Sequence, residues 1–177
     1  MPSDGNPKLP YGNYFDVLQE TKGEDRVKAL IKCGKENDVK GETKTFMSNF
    51  LPYVEFHSAT MTPNPTVVFK FTVQPSHQNG LNNMHGGATA ALFDWCTSIS
   101  LSLISKPGYW MFMGVTRNLS LSYLRPVPVG EVVLLECEVA HAGKRMCHLK
   151  GRMKRASDGV LLVTCEHDKV STETSNA

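Results

Sequence analysis

Most signatures of a familiar chemistry are missing from these 177 residues. There is no excess of either charge: 19 Lys and Arg against 17 Asp and Glu leave +2, too near neutral for a nucleic-acid partner to be read from bulk charge. The cysteines Cys33, Cys96, Cys137, Cys147 and Cys165 are odd in number and form no CxxC pair. With no secretory leader in the sequence, they read as reduced thiols in an intracellular protein. No serine sits in a GxSxG elbow, and "HAGKR" lacks the longer glycine loop of a phosphate-binding P-loop. Cys147-His148 and Cys165-Glu166-His167 lack metal-ligand spacing, so no metal and no cofactor is expected. Neither an internal repeat nor a low-complexity segment is present. The start has no arginine-rich transit bias and "STETSNA" is no peroxisomal address, which points to a cytoplasmic location with the mitochondrion left open. The sequon Asn118-Leu119-Ser120 carries nothing without secretion. Long apolar runs are few, and the one from Met84 to Ile104 is interrupted by Asp94, several Ser and Thr and a Gly pair, with no basic flank before Lys106. It reads as a buried helix of a soluble domain and not as a membrane span.

What is present fits one domain with a substantial core: 41% hydrophobic and 20% charged residues in a chain of this length. "MPSDGNPKLPYGNYF" reads as a loose arm. In "GEDRVKALIKCGK", Val27, Leu30 and Ile31 fall at helical spacing, with Gly34 as the expected stop, and a short helix is expected from Thr43 to about Phe50. Val54 to Met61 and Val67 to Gln74 read as strands joined by "TPNP". After the apolar helix come "TRNLSLSYL", stopped by Pro126 and Pro128, then "EVVLLECEVAH", "CHLKGRMKR" and, across "SDG", "VLLVTCEHDKV". A helix apolar nearly all round needs cover on every side, and one antiparallel sheet curled around it provides that. The expectation is α+β, with residues 1–51 as an N-terminal arm and helices, 52–172 as the main domain and 173–177 as a polar tail.

The apolar helix begins at Gly86-Gly87, where glycine permits close approach of a ligand and the first-turn N–H groups lack intrahelical partners. Together with the helix dipole, these form a donor site for an oxyanion; tight packing alone would also explain the glycines. Asp94 lies eight residues further on, roughly 12 Å at 1.5 Å per residue. The two therefore cannot act on one carbonyl within a single chain, although a two-fold dimer with antiparallel helices would bring Asp94 to the other copy's donor site. Flanked by Phe93 and Trp95, Asp94 is expected to be partly desolvated and so to approach useful base strength; a carboxylate capped by a neighbouring Ser or Thr is the alternative. His85 could serve as a base or merely shape the helix start. Lys150, Arg152 and Lys154 share one strand face that could hold phosphates or form a solvated edge strand.

"NGLNNMHGGATAALFD", "GVTRNLSLSYLRPVPVGE", "HAGKR" and "CEHDKV" together resemble the hotdog-fold acyl-CoA thioesterases, of the phenylacetic-acid-pathway and 4-hydroxybenzoyl-CoA type and its fungal members in particular. The resemblance covers about Pro52 to Val170. It implies an antiparallel sheet wrapped around one long helix, acyl-CoA as substrate, and a homodimer or dimer of dimers. It further implies that Gly86 donates its N–H to the thioester carbonyl, that Asp94 of the opposing subunit is nucleophile or general base, and that Asn79 positions the thioester or water. Thr116 stands where relatives often carry a water-orienting Ser. His85, Tyr123, the turn from His141 through Lys144 and Arg145, and Lys169 fall on the substrate side, where coenzyme A passes. "SKPGYWMF" is a few residues longer than in close relatives. Within the same fold, a hydratase or dehydratase would rely on an Asp-His pair, and no His follows Asp94 at short spacing. A non-catalytic acyl-CoA-binding protein would not need Asp94, Asn79 and Thr116 together.

Overall fold

Beyond position 130 the chain alternates apolar and polar residues, and the backbone follows that period of two. In the computed structural model, which describes residues 14–40 and 45–173 without the side chains of 37–40, this region forms strands β4 (Val132–Ala142), β5 (Met146–Arg155) and β6 (Leu161–Val170). They join β1 (Val54–Thr60), β2 (Thr66–Thr72) and β3 (Val115–Tyr123) in a six-stranded antiparallel sheet of order β1-β2-β4-β5-β6-β3. Against it lies α3 (Gly86–Ser100), the long helix of a hotdog fold.

The inner face of the sheet is apolar: Phe69 and Phe71 of β2, Leu135 and Cys137 of β4, and Leu149 and Met153 of β5 are fully buried. Leu92, Phe93 and Cys96 of α3 meet them. Gly151 explains how closely the helix approaches. It pairs with Cys137 on one side and Cys165 on the other, and a Cβ there would lie 2.6 Å from the Phe93 ring. Any larger residue must push the helix outward. Thr97 and Ser100 are also buried, and their hydroxyls bond back to the carbonyls of Phe93 and Cys96, which removes the cost of an unpaired polar group.

The sheet does not enclose α3 alone. Helix α1 (Tyr14–Glu20) and helix α2 (Gly23–Lys40) lie over the rest, and Val27, Leu30 and Ile31 join one core with Leu92 and Ile99. Helix α2 runs straight through Gly34, the expected stop, because Gly34 serves packing instead: a Cβ there would come within 3.1 Å of Leu51. Buried Arg26 fastens this layer, donating to the carbonyl of Thr21 and, across the fold, to the Ser105 carbonyl at 2.8 Å and hydroxyl at 2.6 Å. The short helix expected before Phe50 is a pair of 3₁₀ turns, Phe46–Asn49 and Leu51–Tyr53; residues 43 and 44 lie outside the described ones. So do residues 1–13 of the expected loose arm and 174–177 of the polar tail, while Tyr14 and Phe15, read as the arm's end, begin α1 because Tyr14 packs on the core.

Strand β5 is interior, not an edge. Arg152 and Lys154 on its outer face pair with Glu136 of β4 at 3.1 and 2.7 Å, and Arg152 also with Glu138 at 3.7 Å, so this face is neither an edge nor a bare phosphate site but an ion-paired surface. Among the described residues the two edges are β1, paired only with β2, and β3, hydrogen-bonded only to β6, with Val115 and Tyr123 exposed. All five cysteines are buried thiols. Among the described residues, no helix is long and apolar enough to cross a membrane.

Candidate active site

Short-range bonds set the first turn of α3. The Asn79 side-chain oxygen accepts from the N–H groups of Leu81 at 2.8 Å and Asn83 at 3.3 Å, and Asn82 takes the left-handed conformation that an Asn tolerates. The chain then reaches His85, whose Nδ1 accepts from Gly87 N–H at 2.9 Å. His85 is thus the helix cap, and its ring nitrogen is spent on that bond. The Gly86 N–H is left without an intrahelical partner. Tyr123, from β3, donates to the Gly86 carbonyl at 2.7 Å and lays its ring beside the glycine. Asn79, Gly86 and Tyr123 therefore do come together, lining a surface cleft of about 430 Å³.

Asp94 stands two turns further along, and long-range contacts set its surroundings. Thr116, on β3, donates its hydroxyl to Asp94 Oδ1 at 2.6 Å. Beneath both lies His167 of β6, with Nε2 3.0 Å from the Thr116 oxygen and 3.4 Å from Asp94 Oδ1. Its Nδ1 is 2.6 Å from the Thr97 oxygen. Thr97 already donates its one proton to the Phe93 carbonyl, so the Nδ1 proton belongs to His167 and Nε2 is an acceptor. His167 is completely buried, and burial pushes its pKa down to about 4, which keeps the ring neutral at physiological pH. The Thr116 proton therefore faces two acceptors, Asp94 and Nε2. Asp94 remains 46% exposed at its side chain, so within one protomer it is only partly withdrawn from water.

Lys169, expected on the substrate side with Lys144 and Arg145, lies apart from them. Its side chain turns inward, 3% exposed, with the ammonium on Ser98 Oγ at 2.8 Å and 3.4 Å from Thr116 Oγ1. Burial lowers its pKa. Lys144, Arg145 and His141 lie at the exposed β4–β5 turn. The inserted "SKPGYWMF" braces that turn: Tyr109 donates to the Ala142 carbonyl at 2.8 Å and Trp110 to that of Gly143 at 2.7 Å.

His167, Thr97 and Ser98 escaped the sequence reading. A signal existed, since Cys165, His167 and Lys169 fall on alternate positions and so share the inner face of β6. No His follows Asp94 closely in sequence, yet the fold delivers one. Being fully buried, His167 cannot itself touch a substrate as the acid-base His of a hydratase would. Cys165 offers no rival nucleophile, because burial pushes its thiol up to about 12. Among the described residues, no group of His, Cys, Asp and Glu could hold a metal ion.

A six-stranded antiparallel sheet against one long helix, with a carboxylate two turns beyond the helix start, is the hotdog architecture, and comparison with known proteins places the chain among the thioesterases of that fold. Residues 81–162 match the thioesterase superfamily. The provisionally named esterase F42H10.6 of Caenorhabditis elegans is 30% identical over 132 residues, 74% of this chain and 72% of that one. Acyl-coenzyme A thioesterase 13 of Homo sapiens is 26% identical over 103 residues, 58% of this chain and 71% of that one. Zebrafish thioesterase superfamily member 2 superposes with a TM-score of 0.69 at 23% identity, covering 85% of this chain and 99% of that one. A Streptococcus pneumoniae thioesterase structure with coenzyme A gives a TM-score of 0.59 at 22% identity, covering 70% and 88%. The chain belongs to the thioesterase superfamily.

Proposed function

We propose that the protein hydrolyses acyl-CoA thioesters as a homodimer or dimer of dimers, each active site drawing on two chains. Asp94 takes a proton from water as the water oxygen attacks the thioester carbon. The oxyanion forms against the N–H of Gly86 of the partner subunit. Collapse of the tetrahedral intermediate breaks the C–S bond, and the departing thiolate takes the proton back from Asp94, leaving a carboxylic acid and coenzyme A. Thr116 orients Asp94 and the water, and Asn79 steadies the turn that presents Gly86. His141, Lys144 and Arg145 offer positive or hydrogen-bonding groups to the coenzyme A phosphates.

The Thr116 hydroxyl on Asp94 at 2.6 Å carries this reading, because it holds a solvent-open carboxylate in one orientation over a neutral imidazole. Three further features support it. Gly86 and Asp94 are too far apart along one helix to serve one carbonyl, the β3 edge is unpaired in the protomer, and the curated mammalian relatives are named acyl-coenzyme A thioesterases.

The test uses two inactive variants. Asp94→Asn, which keeps the shape and removes the base, should lower turnover by about a hundredfold or more. Asn79→Ala should disable the carbonyl side. Exchanging subunits between the two creates heterodimers with one doubly damaged and one intact site, so recovered activity should approach roughly a quarter of wild type. Mass spectrometry of differently tagged chains verifies the exchange. Verified exchange with no recovery would place both residues in one chain's site, and an active Asp94→Asn protein would remove Asp94 from the chemistry.

A further inference from the structure

A chamber of about 270 Å³ lies between α3 and the N-terminal layer, beginning at Trp95, next to Asp94. Trp95, Ser98 and Ile99 form its floor, and Leu30, Cys33, Gly34 and Met47 line it from the opposite side. Its lining is mostly apolar, and among the described residues its one charged group is the Lys169 ammonium, which rests on Ser98. That ammonium is two hydrogen bonds from the Asp94 carboxylate, through Thr116. A thioester whose carbonyl lies at Asp94 would have its acyl carbons beside Trp95 and Ser98, at the mouth of an apolar space. The volume falls just below the roughly 300–1,000 Å³ of ordinary small-molecule pockets, too little for a nucleotide but enough for a modest hydrocarbon chain.

The depth of this space is fixed by residues before position 52, outside the segment matched to the superfamily. Arg26 locks α2 onto Ser105, so the roof is fastened and not a swinging lid. Gly34 keeps the roof thin where α2 crosses Leu51. We infer that the chamber is the acyl subsite, that α2 and the 3₁₀ turn at Phe46–Asn49 set its depth, and that it takes unbranched apolar chains of medium length. This rests on the thioesterase reading above and specifies its substrate class.

The full-length protein and two variants, Cys33→Phe to fill the chamber and Met47→Ala to enlarge it, are assayed with acetyl-, octanoyl- and palmitoyl-CoA. Wild type should show its highest kcat/KM with octanoyl-CoA. Cys33→Phe should lower the octanoyl-to-acetyl ratio by about tenfold, the scale of excluding a methylene or two from a fitted pocket. Met47→Ala should shift the preference towards palmitoyl-CoA, and it carries the test if Cys33→Phe does not fold, because it only removes atoms. Calorimetric titration with octanoate reads the chamber without turnover. A protein that hydrolyses no acyl-CoA but binds octanoate, about tenfold more weakly in Cys33→Phe, keeps the chamber and loses the thioesterase reading. Hydrolysis with the same chain-length profile in wild type and the folded variants keeps the reading and overturns the chamber.

Discussion

The two stations of α3 that face the proposed chemistry are built in opposite ways. At its first turn, the side chains that shape it are local: His85 caps Gly87 and Asn79 ties Leu81 and Asn83, while Tyr123 and the backbone of Val127 and Val129 brace the turn from afar. At its third turn, every partner around the Asp94 side chain is distant in sequence: Thr116 by 22 residues, and Lys169 from Ser98 by 71. A backbone donor needs only a helix that begins cleanly, so local side-chain bonds do most of that work and the distant ones brace the backbone. An oriented carboxylate needs hydroxyl and imidazole groups at fixed places around it, and only the register of β3 and β6 against the helix provides them.

That contrast can be broken by substitutions at each station. The largest effect beyond Asp94 itself belongs to Thr116→Ala. A hydrogen bond to a charged group is worth about 1.5–3 kcal/mol, so turnover should fall roughly tenfold to a hundredfold. Thr116→Ser, which restores the hydroxyl, should recover most of it. Equal rates for Ala and Ser would mean that Asp94 needs no orientation from β3.

His167 sharpens the comparison through stability. Burial holds its folded pKa at about 4 against an ordinary 6.5, so as pH falls the unfolded chain takes up the proton first. The contribution is complete above pH 6.5 and is lost as pH falls towards 4. Melting temperatures measured across that window should decline more steeply for wild type than for His167→Asn, whose side chain does not titrate. Parallel curves would show that His167 is not held neutral by burial.

The smallest effect is expected at the first turn. Tyr123→Phe removes one neutral hydrogen bond, worth about 1 kcal/mol, and should slow turnover only severalfold. A loss as large as that of Thr116→Ala would show that the donor station depends on β3 as much as the base does, and the contrast would fail.

Much of this was legible in the sequence because it is periodic or punctuated. Alternation located β4, β5 and β6 to within a residue or two, and Gly86 after His85 located the start of α3. Where the reading went astray, one symbol had two physical meanings. Gly34 reads as a helix stop, yet a glycine also lets Leu51 approach, and α2 continues. Lys150, Arg152 and Lys154 read as either a phosphate face or a solvated edge because the sequence does not reveal that β5 is interior, with Glu136 opposite Arg152 and within reach of Lys154.

The sequence by itself determined a sheet with one apolar helix, the helix start at Gly86 and a lone carboxylate at Asp94, since the first two follow from side-chain period and local backbone preference and the third is plain composition; the hotdog family entered through its motifs. Tertiary structure alone decided what surrounds that carboxylate. Residues 94, 116, 167 and 169 meet because a helix and two strands pack at one distance and one register, and Gly151 permits that distance by offering Phe93 no Cβ. The same packing turned Lys169 inward and left a chamber beneath α2, because side-chain direction on a strand is fixed by which face the core occupies.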